Sequence, residues 1–237
     1  MEAQTNQNYQ SPIVTIDVVL LTLSDNGLQV ALHQRKQSPY EHQLALPGGY
    51  IHTNEDESAE KAAFRVLNQK TGLIPRYLEQ LKTYANTSRD PRGWSVSISH
   101  VALIPMSALK QAEKEVFQFF DVDNLPTMAF DHQLQIQDAV ERVRNKSSYS
   151  TLPCWLLPEL FTLTQLQQTY EKIFGESVSR GTFRSRLGIK VGDAIPGESA
   201  DEAEILIATD QFKGGNQRPA RLFKVNHLKL FKRACWS

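Results

Sequence analysis

The sequence is poor in cysteine and has no long uninterrupted hydrophobic segment. Its two cysteines, Cys154 and Cys235, lack CxxC spacing and a neighbouring histidine pattern, so they indicate neither a zinc site nor a disulfide framework. The longest apolar stretch, residues 13–23, is interrupted by polar residues and is shorter than the roughly 20 residues that a membrane span needs. The first ten residues have no basic start and no apolar run. We therefore expect a soluble, cytoplasmic protein.

The chain also lacks a net charge, but the charges are unevenly distributed. Its 237 residues are 41% hydrophobic and 22% charged, ordinary values for globular proteins, and the length favours two domains. Residues 1–150 hold 14 basic and 17 acidic residues, whereas residues 151–237 hold 12 basic and 9 acidic ones. Seven basic and no acidic residues fall in 211–237. This surplus suits a polyanionic partner, although a solvated basic face is the simpler alternative.

The first half alternates strand and helix patterns. Asn26-Gly27 is a strong hairpin turn between two apolar strands. Apolar residues at helical spacing predict a helix over 58–71 that ends at Gly72, and a last helix over 131–145 begins at Asp131 as its cap. Together these elements predict an α/β/α sandwich in domain 1–150, with strands at 13–23, 28–34, 77–86, 95–104 and 115–121.

The second half has a different pattern. Periodicity lapses near residue 150, where serine and proline cluster, and we place the domain boundary there. Two closely spaced helices are predicted at 162–174 and 179–187, the second capped by Ser179. Two strands at 203–208 and 220–225 follow, joined by a glycine-rich basic loop. A helix-turn-helix followed by a hairpin predicts a winged helix in domain 151–237, and thus an α+β protein overall.

Several short segments of the first domain resemble the Nudix family. Leu46-Pro47-Gly48-Gly49 precedes a helix that ends with Thr71-Gly72-Leu73, as the Nudix box does. The segments 34–36, 90–93 and 129–132 are similar to the branch of the family that handles ADP-ribose. The resemblance implies the Nudix fold and a site for a nucleoside diphosphate.

The box departs from the family pattern where the chemistry is carried. With Gly72 as the anchor, Glu57 and Arg65 match the pattern, whereas the three glutamate positions are occupied by Val66, Gln69 and Lys70. In the family these carboxylates hold Mg²⁺, and a valine, an amide and an ammonium group do not replace them. We predict a domain that binds a nucleotide without hydrolysing it, and expect no metal, no cofactor and no catalytic residue.

The resemblance also implies which residues contact the effector. Lys70 can pair with a diphosphate as a point charge, but it would equally suit the negative end of the helix dipole. The arginines could be ordinary surface charges, the histidine a packing residue, and Glu57 a group that complements the helix dipole. The candidate effector-binding residues are Arg35, Gly48, Gly49, Glu57, Lys70, Arg89, Arg92 and His132.

The winged helix suggests a surface that contacts DNA. With Phe183 and Leu187 facing inward, the polar and basic residues of the second helix lie on its outer arc, and arginine can read guanine or contact phosphate. Winged helices also serve as protein interaction modules. The candidate DNA-binding residues are Ser179, Arg180, Thr182, Arg184, Ser185, Arg186, Lys213, Asn216, Gln217, Arg218 and Arg221.

The combination of a degenerate Nudix domain and a winged helix resembles the Nudix-related transcriptional regulators of NAD metabolism. That resemblance implies an ADP-ribose-type effector, repression of NAD biosynthesis genes, and a homodimer on double-stranded operator DNA. We hypothesise that effector binding changes the relative placement of the two winged helices of a dimer. Two alternatives stay open: an active hydrolase of nucleoside diphosphate sugars with a C-terminal interaction module, and a DNA-binding protein that senses a sugar or another nucleotide.

Overall fold

The first domain is built on one mixed β-sheet. The structure is a computed structural model and describes residues 11–110, 117–188, 205–214 and 219–231. The predicted hairpin is confirmed, with Ser24 paired to Gly27 at its turn. The strands are β1 (Ile13–Ser24), β2 (Gly27–Gln34), β3 (Leu44–Ala45), β4 (Gly48–Tyr50), β5 (Tyr77–Asn86), β6 (Ser95–Leu103) and β7 (Gln118–Asp121). Their order in the sheet is β3-β2-β1-β6-β5, and in addition β4 pairs with β1 and β7 pairs with β2.

Helices cover both faces of this sheet. Residues alternate between the faces of a strand, so Ile16 and Val18 of β1 pack in the cluster that contains helix α1 (Ala59–Thr71). Val19 of β1 packs in the cluster that contains helix α3 (His132–Ser147), and the short helix α2 (Met106–Leu109) lies between β6 and β7 in the chain. The predicted α/β/α sandwich is thereby confirmed.

The ends of two helices show where capping was predicted correctly and where it was wrong. Gly72 ends α1 with a φ of 74°, as predicted, and the Ser58 side chain caps the start of the helix. Asp131 does precede α3, but its side chain makes no capping hydrogen bond. Its carboxylate accepts hydrogen bonds from Arg89 instead. The Asp131 carboxylate therefore binds the distant Arg89 side chain and does not cap the helix that follows it.

The second half contains the predicted helix-turn-helix and hairpin. Helix α4 (Leu163–Phe174) begins with a capping box formed by Thr162 and Gln165 and is followed by helix α5 (Arg180–Arg186). Strands β8 (Ile207–Lys213) and β9 (Ala220–Lys224) pair antiparallel. Strand β8 lies later in the chain than the predicted strand 203–208. Most of this hairpin is exposed, so its sequence has no clear alternation of buried and exposed residues from which a strand could be placed. Residues 203 and 204 lie outside the described part of the chain.

The two halves share one hydrophobic cluster. A 3₁₀ helix (Leu152–Leu156) follows α3, and its Trp155 stacks on Tyr77 of β5 with ring centroids 6.4 Å apart. Ser150 forms a bridge with Leu230 near the end of the described chain. Apolar residues of both halves belong to the same buried cluster, so the boundary near 150 stays a prediction. Cys154 is buried in that cluster, and none of the described helices is long and apolar enough to cross a bilayer.

Candidate functional site

The floor of the candidate effector site is the point where Asp17 interrupts the apolar strand β1. Asp17 is 7% exposed and pairs with Gly48 of β4. A Cβ atom on Gly48 would lie 2.4 Å from Oδ1 of Asp17 and 2.9 Å from the carbonyl oxygen of Ile16. At Gly49 the nearest atom would be Cγ2 of Val66, at 3.3 Å. The first glycine of the pair is therefore fixed by close packing on a carboxylate, and the second much less so.

Arg89 lies below this floor and is paired with acidic groups. Its side chain is 3% exposed, and its Nε and Nη2 donate to the two carboxylate oxygens of Asp131 at 2.9 and 3.0 Å. Nη2 also lies 3.4 Å from Oδ2 of Asp17. Gln135 donates to both carboxylates, which completes the network. The structure thus places Arg89 where it supports the site from within, and its contact with an effector stays a prediction.

His132 connects the network to the loop that carries the glycines. Its Nδ1 accepts the backbone N–H of Leu46 at 3.0 Å, so the ring proton belongs on Nε2, which lies 3.7 Å from Oδ1 of Asp17. Burial by itself would raise the pKa of Asp17, but His132, Ser97 and Arg89 outweigh it and hold that pKa well below its usual range. Asp17 is therefore ionised, and His132, which is 3% exposed, positions the loop.

Two arginines of the candidate set lie at the rim of the site. Nη2 of Arg92 is 2.6 Å from Oδ2 of Asp90, Nη1 donates to the hydroxyl of Tyr50, and the guanidinium lies 5.6 Å from the Tyr50 ring centroid. Burial lowers the pKa of Arg35, and the charge of Arg92 lowers it further. Because the charge of Arg92 disfavours the charged form of Arg35, an anion bound near both guanidinium groups would stabilise them.

Three residues near Arg35 have an unusual backbone conformation and were not predicted as site residues. Tyr40, His42 and Phe130 have positive φ angles of 59°, 66° and 56°, which side chains other than glycine rarely adopt. The Tyr40 and Phe130 rings meet edge to face at 4.9 Å, and Arg35 lies over the Phe130 ring at 4.8 Å. Strained backbone often concentrates at functional sites. Phe130 lies in the segment 129–132 that carries the resemblance, but none of the three residues was among the candidates.

The Nudix-box helix keeps its arginine as a structural group. Arg65 binds Asp56 through two hydrogen bonds of 2.6 and 2.7 Å and donates to the carbonyl oxygen of Tyr50 at 2.9 Å. The bonds from Arg65 lower the pKa of Asp56 to about 2. Gln69 accepts from the same arginine at 3.3 Å. Arg65 thereby holds the loop before α1 against β4.

The remaining box residues do not fit a Mg²⁺ site. Val66 is 2% exposed and belongs to the apolar cluster between α1 and the sheet. Gln69 and Glu57 are exposed and Lys70 is half-buried. Magnesium requires oxygen ligands with negative charge, and an apolar, an amide and a cationic side chain provide no such set. Within the described ranges no group of three or more His, Cys, Asp or Glu residues is arranged to hold a metal ion.

Helix α5 presents a polar surface to solvent. Ser179 caps it by accepting the N–H of Thr182 at 3.1 Å, and Phe183 and Leu187 are buried as predicted. Of the candidate residues, Ser179, Arg180, Arg184 and Ser185 are exposed, whereas Thr182 and Arg186 are half-buried. Arg180 and Arg184 make no hydrogen bond or ion pair with the part of the chain that the structure describes. Both side chains are exposed, as contact with a polyanion would require.

The hairpin after α5 provides fewer described contacts. Lys213 is exposed at the end of β8, and Arg221 donates through Nε to the carbonyl oxygen of Thr209 at 2.6 Å. Phe212, 57% exposed, was not among the candidates. The candidates Asn216, Gln217 and Arg218 lie outside the described residues.

The comparisons with known proteins agree with both halves. The NUDIX domain matches residues 14–141, and the NrtR DNA-binding winged helix domain matches residues 153–189. The fold and the two sites thus define a Nudix-fold protein with a DNA-binding module. The chain belongs to the Nudix family, in the group that carries an NrtR-type winged helix.

Three relatives are similar to this chain. An ADPR responsive transcriptional repressor NtrR of Acinetobacter baylyi is 36% identical over 92% of this chain and 83% of its own length. The crystal structure of Shewanella oneidensis NrtR complexed with a 27mer DNA is 35% identical, covers 90% and 93% of the two chains, and has a TM-score of 0.77. That protein's NUDIX domain complexed with ADP ribose is 38% identical over 56% and 90%, with a TM-score of 0.51. An ADP-ribose pyrophosphatase of Methanocaldococcus jannaschii is 37% identical over 55% of this chain and 74% of its own.

Proposed function

We propose that this protein is a transcriptional repressor that binds operator DNA through its winged helix and responds to ADP-ribose bound in its Nudix domain. One observation carries the proposal: a single chain joins both modules and is similar over 92% of its length to an ADP-ribose-responsive repressor. The geometry of each module supports a separate part of this function.

The DNA-binding part rests on α5. A recognition helix needs polar and basic side chains on the face opposite its packed residues, and α5 has this arrangement with Arg180 and Arg184 exposed opposite Phe183. Lys213 adds a positive charge at the end of β8. These side chains would contact phosphates or base edges of a duplex, as would the other candidates of the helix and its hairpin apart from Arg186.

The effector-binding part rests on the rim of the Nudix site. The charge of Arg92 contributes to lowering the pKa of Arg35, and the two negatively charged phosphates of ADP-ribose would offset that unfavourable interaction. Gly48 and Gly49 leave room beside the site floor, and Lys70 offers a further cation. Arg89 and His132 would act from below, since both are buried.

We infer that the bound effector is not hydrolysed. The position of one family carboxylate is held by Val66, which is part of the apolar core and leaves no oxygen at the site. Gln69 and Lys70 supply no carboxylate either. The alternative is hydrolysis of the effector, which the similarity to an ADP-ribose pyrophosphatase favours. Hydrolysis would require bound metal ions, whereas binding alone would not.

Three further features belong to the proposal. Repressors of this kind act on DNA with two-fold symmetry, so we expect a homodimer. The regulated genes would be those of NAD biosynthesis, as the resemblance implies. A protein that binds bacterial operator DNA would work in the cytoplasm.

Footprinting of the purified protein on its own upstream region, with and without ADP-ribose, tests the proposal. We expect protection of a site with two-fold symmetry that weakens or strengthens when ADP-ribose is added. A parallel incubation with Mg²⁺ and ADP-ribose should yield no ribose 5-phosphate or AMP. Rapid release of these products would favour the hydrolase, and DNA binding that is insensitive to saturating ADP-ribose would remove the effector part.

A further inference from the structure

Arg186 stands apart from the other arginines of the recognition helix. It is half-buried, and its Nη1 donates to the carbonyl oxygen of Ser148 at 3.3 Å. Ser148 is the residue that ends helix α3 of the Nudix domain. The recognition helix is thus tied by its last residue to the end of a helix that begins in the effector site.

The other end of α3 forms part of the effector site. Asp131, which precedes the helix, pairs with Arg89 at 2.9 Å, and Gln135 in its first turn donates to Asp17 at 3.2 Å. His132 holds the N–H of Leu46, just before the two glycines. A ligand that displaced the floor of the site would act directly on these groups.

Between its ends α3 is held firmly against the sheet. Sixteen residues at 1.5 Å each give a rod of about 24 Å. Asp138 bonds the hydroxyl of Tyr84 at 2.6 Å, and Arg142 and Lys146 lie 2.8 and 2.7 Å from oxygens of Glu79. A continuous hydrogen-bonded helix is stiff along its axis, so a displacement at its first turn would reach its last, together with the strand to which these bonds attach it.

A second bond joins the last turns of α3 to the winged helix. Nε of Arg144 donates to the carbonyl oxygen of Ile173 in α4 at 3.3 Å. Beyond the helix end, the hydroxyl of Tyr170 donates to the carbonyl oxygen of Ser150 at 2.7 Å. Both helices of the helix-turn-helix are therefore attached at the distal end of α3.

We propose that Arg186 is a positioning residue: it ties the recognition helix to α3, transmits the state of the effector site to DNA binding, and does not contact DNA. The inference rests on the proposed function, since it concerns the response to ADP-ribose. It assigns Arg186 a role different from that of Arg180 and Arg184 on the same helix.

Fluorescence anisotropy with the full chain and a labelled duplex of the footprinted site tests this assignment. Two quantities are measured for each variant: the ratio of DNA affinities with and without saturating ADP-ribose, and the slope of log affinity against log salt concentration. We expect Arg186→Gln to bring the ratio close to one and to keep the wild-type slope. Arg186→Lys retains a donor for the Ser148 carbonyl and should restore much of the ratio.

Arg184→Gln is the matched control, because this arginine lies two residues away and is exposed. Removing a phosphate-binding group there should lower the salt slope by about 1 and leave the effector ratio unchanged. Arg144→Gln removes the second bond and should reduce the ratio even if Arg186→Gln fails to fold. A wild-type chain without any ADP-ribose response would refute the proposed function. A responsive wild type, with Arg186→Gln showing the full ratio and a slope lower by about 1, would overturn the positioning role.

Discussion

Three arginines of the Nudix half and two arginines of helix α5 differ in what they bind. In the Nudix half, Arg65, Arg89 and Arg92 each bind a nearby carboxylate, at 2.6 to 2.9 Å. On helix α5, Arg180 and Arg184 are exposed and bind none of the described residues. The three arginines of the Nudix half thus hold loops in place, whereas these two arginines of α5 face outward.

This difference shows how a guanidinium group acquires a structural or a binding role. A buried guanidinium must be paired, because an unpaired buried charge is strongly unfavourable. An exposed one gains little from a surface ion pair and is available to a partner. The neighbouring acids therefore decide the role.

The largest expected effect is that of Arg89→Ala. The substitution leaves the buried carboxylate of Asp17 and the half-buried carboxylate of Asp131 without their common cation. Breaking a buried pair by removing one partner costs about 3–5 kcal/mol. Urea unfolding followed by circular dichroism should show a loss of this size in the free energy of unfolding.

Arg92→Ala is the control from the same loop. Its side chain is 35% exposed, and the 2% exposed carboxylate of Asp90 keeps the backbone N–H of residue 92 as a donor, so the loss of the pair should cost less, about 1–3 kcal/mol. The affinity of the Arg92→Ala variant for ADP-ribose should also fall. Equal destabilisation by the two substitutions would contradict the distinction between a supporting and a binding arginine.

The second effect separates the two glycines of the site. Gly48→Ala would bring Cβ within 2.4 Å of Oδ1 of Asp17, and overpacking of a buried position costs about 1–3 kcal/mol. Gly49→Ala meets only Cγ2 of Val66 at 3.3 Å and should be better tolerated. Melting temperatures of the two variants measure the difference. A more severe loss for Gly49→Ala would show that the close approach to Asp17 is not what requires glycine.

The third effect concerns the outward-facing charges. Arg180→Ala and Arg184→Ala should each weaken operator binding, by about 1–3 kcal/mol where the arginine reads a base. Neither should change the melting temperature by more than a small amount, because both side chains are exposed. Anisotropy titrations together with thermal unfolding test this pair of expectations. Unchanged DNA binding in both variants would remove α5 from the interface.

Much of this architecture was predictable because local signals were strong. Asn26-Gly27 fixes a hairpin, and the apolar spacing of α1 with Gly72 at its end defines a helix. The strand β8 was misplaced by several residues, since an exposed ribbon has little burial to give it a period. Local chemistry thus predicts elements well where one face is buried.

The site was less predictable because it depends on contacts between distant residues. Asp131 reads as a helix cap, yet Arg89, 42 positions away in the chain, takes its carboxylate. Arg186 reads as a DNA contact, yet its donor reaches Ser148, 38 positions away. The spacing of residues along a chain does not reveal such long-range pairs. The sequence therefore identified candidate residues of the site but not the residues with which they pair.

The last effect concerns the ion pair of Arg65 and Asp56, whose side chains are 15% and 2% exposed. The bonds from Arg65 depress the pKa of Asp56 from 3.8 to about 2, so the pair stabilises the fold fully above pH 3.8 and loses that contribution as the pH falls towards 2. Asp56→Asn should lower the free energy of unfolding at pH 7 and flatten its dependence on pH between about 4 and 2. Acid titration monitored by circular dichroism compares the two chains. An unchanged acid transition would show that Arg65 holds the loop through its bond to the Tyr50 carbonyl, which the substitution leaves in place.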